Sequence, residues 1–135
     1  MSKLFRYDLK VFYEDTDAGG VVYYANYLKF LERARSEAIY SLGYSNTQLK
    51  EDFGIIIIVK SCNINYIKSA VFEDKLTVFS SIKKLSNTSF IMQQEIKRND
   101  ELLSTSEVCL VCIKHDKKPT KIPELLKSLL KDFVN

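Results

Sequence analysis

The stretch Tyr13-Glu14-Asp15-Thr16-Asp17-Ala18-Gly19-Gly20-Val21-Val22-Tyr23-Tyr24-Ala25-Asn26-Tyr27 joins two segments of different hydrophobic period, and that change of period decides the fold. Upstream, Phe5, Tyr7, Leu9, Val11 and Tyr13 recur at every second position, the repeat of a half-buried strand. Downstream, Tyr27, Phe30, Leu31, Ala34, Ala38 and Leu42 keep 3-4 spacing, with Lys29, Glu32, Arg33 and Glu37 largely off the stripe and Gly43 placed to stop the element. This spacing predicts one helix of about four turns. Between the two, a pair of carboxylates and a double glycine precede the helix start. The first N–H groups of a helix lack intrahelical partners and favour negative charge, so an acid here faces a cluster of oxyanion-stabilising amides. A carboxylate that attacks, or activates water to attack, beside such amides is the chemistry of acyl transfer to water.

Beyond Gly54 the pattern becomes strand-like over Ile55–Ile67, Lys75–Leu85, Ser89–Lys97 and Leu102–Lys114. Turn signals separate these runs at Glu73-Asp74, Ser86-Asn87 and Arg98-Asn99-Asp100, predicting four consecutive, mostly antiparallel strands. In Ile122–Phe133 a proline stands at a helix-starting position with leucines at helical spacing, predicting a short terminal helix. A curved antiparallel sheet must cover its apolar face, and the long helix is the element able to do so. The expected class is α+β, a sheet of about five strands wrapped around one long central helix, with a short C-terminal helix.

The 135 residues are enough for one compact domain and too few for two, so residues 1–135 are read as a single domain. A net charge of +3, with no basic block interleaved with aromatics, argues against nucleic acid. The opening Met1-Ser2-Lys3-Leu4 turns polar before an apolar signal core forms, and the Ile55–Val59 run is too short to span a bilayer. A cytoplasmic protein without stable membrane insertion is expected. Cys62, Cys109 and Cys112 form an odd set, and the Cys109/Cys112 spacing falls in a strand where i and i+3 face opposite sides. Buried structural thiols are expected there, and no metal site.

Tyr13 to Tyr23, followed by Asn26-Tyr27 and Glu32-Arg33-Ala34-Arg35-Ser36-Glu37, resembles the hotdog-fold acyl-CoA thioesterases. The nearest groups are the 4-hydroxybenzoyl-CoA thioesterase family and its bacterial YbgC-like members associated with the Tol-Pal cluster. The similarity continues through Ser61-Cys62-Asn63, Phe72-Glu73-Asp74-Lys75-Leu76, Ser89-Phe90 and Ile122-Pro123, so it covers nearly the whole chain. The resemblance implies a hotdog fold, a homodimer or homotetramer with sites at the subunit interface, acyl-CoA as substrate, and no metal or tightly bound cofactor. It implies Asp17 as catalytic aspartate and the helix start at Tyr24 as the source of the polarising amide. Tyr24 stands where many YbgC-like relatives carry histidine, while the 4-hydroxybenzoyl-CoA enzyme has tyrosine there.

Each candidate has a plainer reading. Asp15 and Asp17 are also good turn formers next to Gly19-Gly20; with the motif in register Asp17 is read as catalytic and Asp15 as structural. Tyr23, Asn26 and Asn63 are candidate substrate-binding residues, set against packing for Tyr23 and a backbone-satisfied amide for Asn63. Arg33 and Glu37 read as a solvated or interfacial pair, and His115, within Lys114–Lys118, as a solvated loop residue. The expected activity is hydrolysis of an acyl-CoA thioester by an aspartate nucleophile or general base. The competing reading is a non-catalytic acyl-binding or scaffold protein working with acyl carrier protein or cell-envelope machinery.

Overall fold

A computed structural model of the chain describes residues 3–135, so the polar opening at Met1 and Ser2 lies outside the described residues. Alternating side chains form β1 (Phe5–Lys10), β2 (Ile56–Tyr66), β3 (Lys75–Leu85), β4 (Ser89–Arg98) and β5 (Glu101–Ile113). These pair antiparallel throughout, in the order β1-β3-β4-β5-β2. Local hairpins thus build the middle of the sheet, while β2 crosses to the far edge beyond β5. Expected and observed strands agree within a residue or two except for the first, which stops at Lys10 and not Tyr13. The cause is polar. Asp15 accepts the Phe12 N–H at Oδ2 (2.9 Å) and donates its own N–H to the Phe12 carbonyl (3.0 Å), winding Tyr13–Asp15 into a 3-10 turn.

The long helix α1 spans Asn26–Ser41 and buries Tyr27, Phe30, Leu31, Ala34, Ala38 and Ile39. It does not make the helical layer alone. A further helix, α2 (Asn46–Phe53), follows it, begun by a Ser45 side chain accepting the Gln48 N–H (3.0 Å) and ended by Gly54 at φ 68°. The long helix stands where the 3-4 spacing predicts it, and α2 is an addition that this spacing did not announce. Because α2 buries only Leu49, it has no apolar stripe to betray it. The closing helix α3 (Glu124–Leu130) follows Pro123 as expected.

Two apolar clusters meet under α1. One joins its first half to Val11, Val22, Ala70, Leu76, Val78, Ile96 and Leu103. The other joins its second half to α2, α3 and the β3–β5 residues Ile82, Phe90, Met92, Val108 and Leu110. Gln94 is fully buried near the junction; it donates to the Leu31 carbonyl and Ser80 Oγ (3.1 Å each) and accepts from Arg35 (3.1 Å). A buried amide so satisfied fixes the helix against the sheet at little cost. Among the described residues no helix is long and apolar enough to cross a membrane.

Candidate active site

The loop from Val11 to Ala25 is held by its backbone. Asp17 donates its N–H to the Val21 carbonyl (2.9 Å) and accepts from the Gly20 N–H (3.0 Å), closing a tight turn across the Thr16–Val22 bridge. Gly20 takes φ +81°, a left-handed conformation that glycine adopts without penalty. The Gly19 N–H donates to Asp17 Oδ1 at 2.8 Å, which orients the carboxylate from within its own turn. The Val22 N–H, bonded to the Ala70 carbonyl (2.9 Å), ties the turn to the segment before β3.

Asp15 is the structural partner of this pair. It is buried, it caps the Phe12 turn, and its carbonyl accepts both the Tyr23 N–H (2.9 Å) and the Asn26 side-chain amide (2.9 Å). Asn26 is therefore committed to holding the loop against the start of α1 and is itself buried. The Asn26 N–H returns to Tyr23 O (2.8 Å), whereas the amides of Tyr24 and Ala25 have no acceptor among the described residues. Ala25 caps α1 with no side-chain bond. Two free donors thus stand at the positive end of the helix.

Asp17, Val21, Val22, Tyr24, Tyr27 and Tyr66 line one open cleft of about 260 Å³, whose far wall is Ile67, Lys68 and Ser69. The sequence brings Asp17 and Tyr24 into it. Tyr23 sits at its margin with its ring 4.9 Å from that of Tyr24; the neighbouring Tyr24 hydroxyl, and to a lesser degree burial and the Asp17 charge, raise the Tyr23 phenol above its ordinary pKa. Asn63 is exposed on edge strand β2 opposite Glu107, outside this cleft. His115 is exposed in the turn after β5, and Arg33 and Glu37 are exposed on α1 without an ion pair between them among the described residues. Cys112 is buried, its thiol pushed up to about 11 by burial, while Cys109 is only half-covered and Cys62 is exposed.

Two cleft residues carry no sequence signal. Tyr66 donates its hydroxyl to the Tyr24 carbonyl (3.1 Å), and Lys68 reaches Glu101 (2.6 Å). Glu101 is shared with Arg98, and bonds from Lys68 and Arg98 hold its carboxyl down at about 2.

Residues 11–130 match the family model of the thioesterase-like superfamily. The chain is similar to an acyl-CoA thioesterase YbgC of Haemophilus influenzae, 36% identical over 92% of each chain. An acyl-CoA thioester hydrolase YbgC of Escherichia coli is likewise 36% identical, over 96% of each. Among solved structures, a probable thioesterase from Bartonella henselae superposes with TM-score 0.85 at 32% identity, over 90% of this chain and all of that one (100%). A DHNA-CoA thioesterase from Staphylococcus aureus gives 0.84 at 31%, over 96% of this chain and 88% of the other.

Proposed function

The chain belongs to the thioesterase-like superfamily, and from that premise we propose that it hydrolyses acyl-CoA thioesters, with Asp17 as the acting carboxylate and the free amides at the start of α1 as the oxyanion site. The observation that carries the reading is one cleft lined by both Asp17, its carboxylate oriented by the Gly19 amide, and Tyr24, at a helix start where the Tyr24 and Ala25 amides are unused. As the thioester carbonyl becomes tetrahedral its oxygen gains charge, which those N–H groups stabilise more than they stabilise the neutral carbonyl. The tetrahedral species collapses with loss of the CoA thiolate. Asp17 serves either by attacking, giving an anhydride that water then opens, or by taking the proton of attacking water. Label found in Asp17 after a single turnover in oxygen-18 water identifies the anhydride route, because only water attack on the aspartyl carbonyl of the anhydride leaves label in the protein.

Tyr23, at the margin, and Asn26, behind the loop, complete the site as a contact and a support. We assign Asn63 to the same site in the assembled dimer, because β2 is an open edge carrying exposed Ile56, Ile58, Val59 and Tyr66. An edge of that kind is closed by pairing with a second copy. Residues 1–135 act as one domain in this reading, located in the cytoplasm where acyl-CoA is available. Acyl carrier protein presents its thioester on the same pantetheine arm and is included as a second carrier. The non-catalytic acyl-binding reading has no observation behind it.

The deciding experiment follows free thiol release from a panel of acyl-CoAs and acyl carrier proteins by wild type and Asp17→Asn. Release from at least one member, lost by roughly 10² to 10⁴ in the variant, is expected. A folded Asp17→Asn protein with full activity refutes the assignment.

A further inference from the structure

The carbonyl of Tyr24 is poorly served by its own helix. The Tyr27 N–H reaches it only at 3.3 Å, and the Leu28 N–H, its regular i+4 donor, goes instead to the Ala25 carbonyl (3.2 Å). The missing donor is the Tyr66 hydroxyl, which bonds to the Tyr24 oxygen at 3.1 Å. That oxygen and the unused Ala25 N–H are the two ends of one planar peptide group. A hydrogen bond accepted at the carbonyl fixes the plane and polarises the amide, making its N–H a stronger donor.

We propose that Tyr66 is a positioning residue of the oxyanion site, holding and polarising the Tyr24–Ala25 peptide so that the Ala25 N–H meets the charge developing on the thioester oxygen. The inference rests on the thioesterase reading above and adds to it a residue from edge strand β2.

The surroundings suit the task. The Tyr66 ring stands edge-on to Tyr27 (5.2 Å, 71°) and to Tyr24 (6.3 Å, 87°), which restricts its rotation. Tyr27 is in turn buried, its hydroxyl accepting the Ala70 N–H at 2.9 Å. Partial burial, with smaller contributions from nearby Cys62, Tyr24 and Tyr27, raises the Tyr66 phenol above its ordinary pKa, so it remains a donor wherever the enzyme works. In Tyr66→Phe the ring, and with it the packing, is retained while the hydroxyl is removed.

The test compares wild type and Tyr66→Phe in the full chain by kcat, KM, and affinity for two CoA ligands: a non-hydrolysable thioether and a trifluoromethyl ketone that becomes tetrahedral in the site. The expected result is a loss of about five- to tenfold in kcat at unchanged KM and Tm, the size of one modest hydrogen bond. An equal loss of ketone affinity, with thioether affinity unaltered, should accompany it. The Ala25 amide nitrogen resonance should move upfield in the unliganded variant, a readout that needs no turnover. Unchanged kcat and ketone affinity overturn the proposal, as does a loss of thioether affinity equal to that of the ketone, which marks simple packing. An unmoved Ala25 resonance also overturns it. Activity retained by Asp17→Asn would instead refute the underlying mechanism, so the two failures are told apart.

Discussion

Gly19 donates its amide to Oδ1 of Asp17 at 2.8 Å, and a β-carbon added at position 19 stands 3.3 Å from that same oxygen. The residue that orients the carboxylate is therefore also the one with least room to grow. Gly19→Ala is expected to displace the carboxylate by a few tenths of an ångström and lower kcat by about tenfold, since placement errors near 1 Å cost on the order of 10². Its Tm should barely change. Gly20→Ala should do the opposite: φ +81° strains alanine by about 1–2 kcal/mol, although nothing lies within 4 Å of the new carbon. Kinetics and thermal melts on the pair check both halves, and equal kcat losses would contradict the distinction.

Asn26→Ala removes a buried bond to the Asp15 carbonyl, which keeps its second donor, the Tyr23 N–H. Destabilisation of about 1 kcal/mol is expected. A larger proportional loss in kcat should accompany it, because the loop and the helix start would no longer be tied together. Denaturant melts beside steady-state rates measure the two effects separately.

The single histidine lies in the exposed turn after β5. His115→Ala should leave kcat/KM unchanged within about twofold from acid to alkaline pH. A loss above about tenfold, roughly 1.4 kcal/mol in barrier, would bring His115 into the chemistry.

Val59→Lys sets a charge within the exposed apolar run of β2. Charged residues block edge pairing, so light scattering should report a monomer where wild type is at least a dimer. An active wild-type monomer at micromolar concentration would contradict the proposed assembly.

Glu101 supplies a pH test of known sign. Lys68 and Arg98 depress its carboxyl from 4.5 to about 2, so its stabilising effect is present above the unfolded value and fades as pH falls through the folded one. The stability difference between wild type and Glu101→Gln should be constant near neutrality, shrink from about pH 4.5 downward and vanish below about 2. A difference that instead grew with acid would rule out this ion-pair account.

What could be read from the chain depended on whether a feature was local and periodic. Leu76, Val78 and Ile82 alternate cleanly, and β3 falls on its expected bounds. The alternation through Tyr13 misled, because the Asp15 carboxylate that ends β1 leaves no trace in a hydrophobic period. Helix α2 has a capping signal at Ser45 and Gln48 but only Leu49 buried, so a stripe search passes over it. That Asp17 and Tyr24 would lie close together was legible, because glycine pair, acid and helix start are contiguous, and both line one cleft. Tyr66 was not: its bond to Tyr24 spans 42 positions and requires β2 at the far edge of the sheet, an order that no local pattern records.

That strand order also shapes how the protein is made. Ile55 to Val59 leave the ribosome as five consecutive apolar residues, yet Val59 pairs with Leu110 and Ile56 with Ile113. The segment must wait for about fifty further residues, several seconds of synthesis at 5–20 residues per second. During that interval β3 and β4 can close as a local hairpin, but β2 cannot dock and the Tyr66 wall of the cleft does not exist. The nascent chain therefore presents a sticky strand before it has a complete cleft, and chaperone dependence and aggregation during overexpression should be governed by Ile55–Val59, with the Val11–Ala25 loop playing little part.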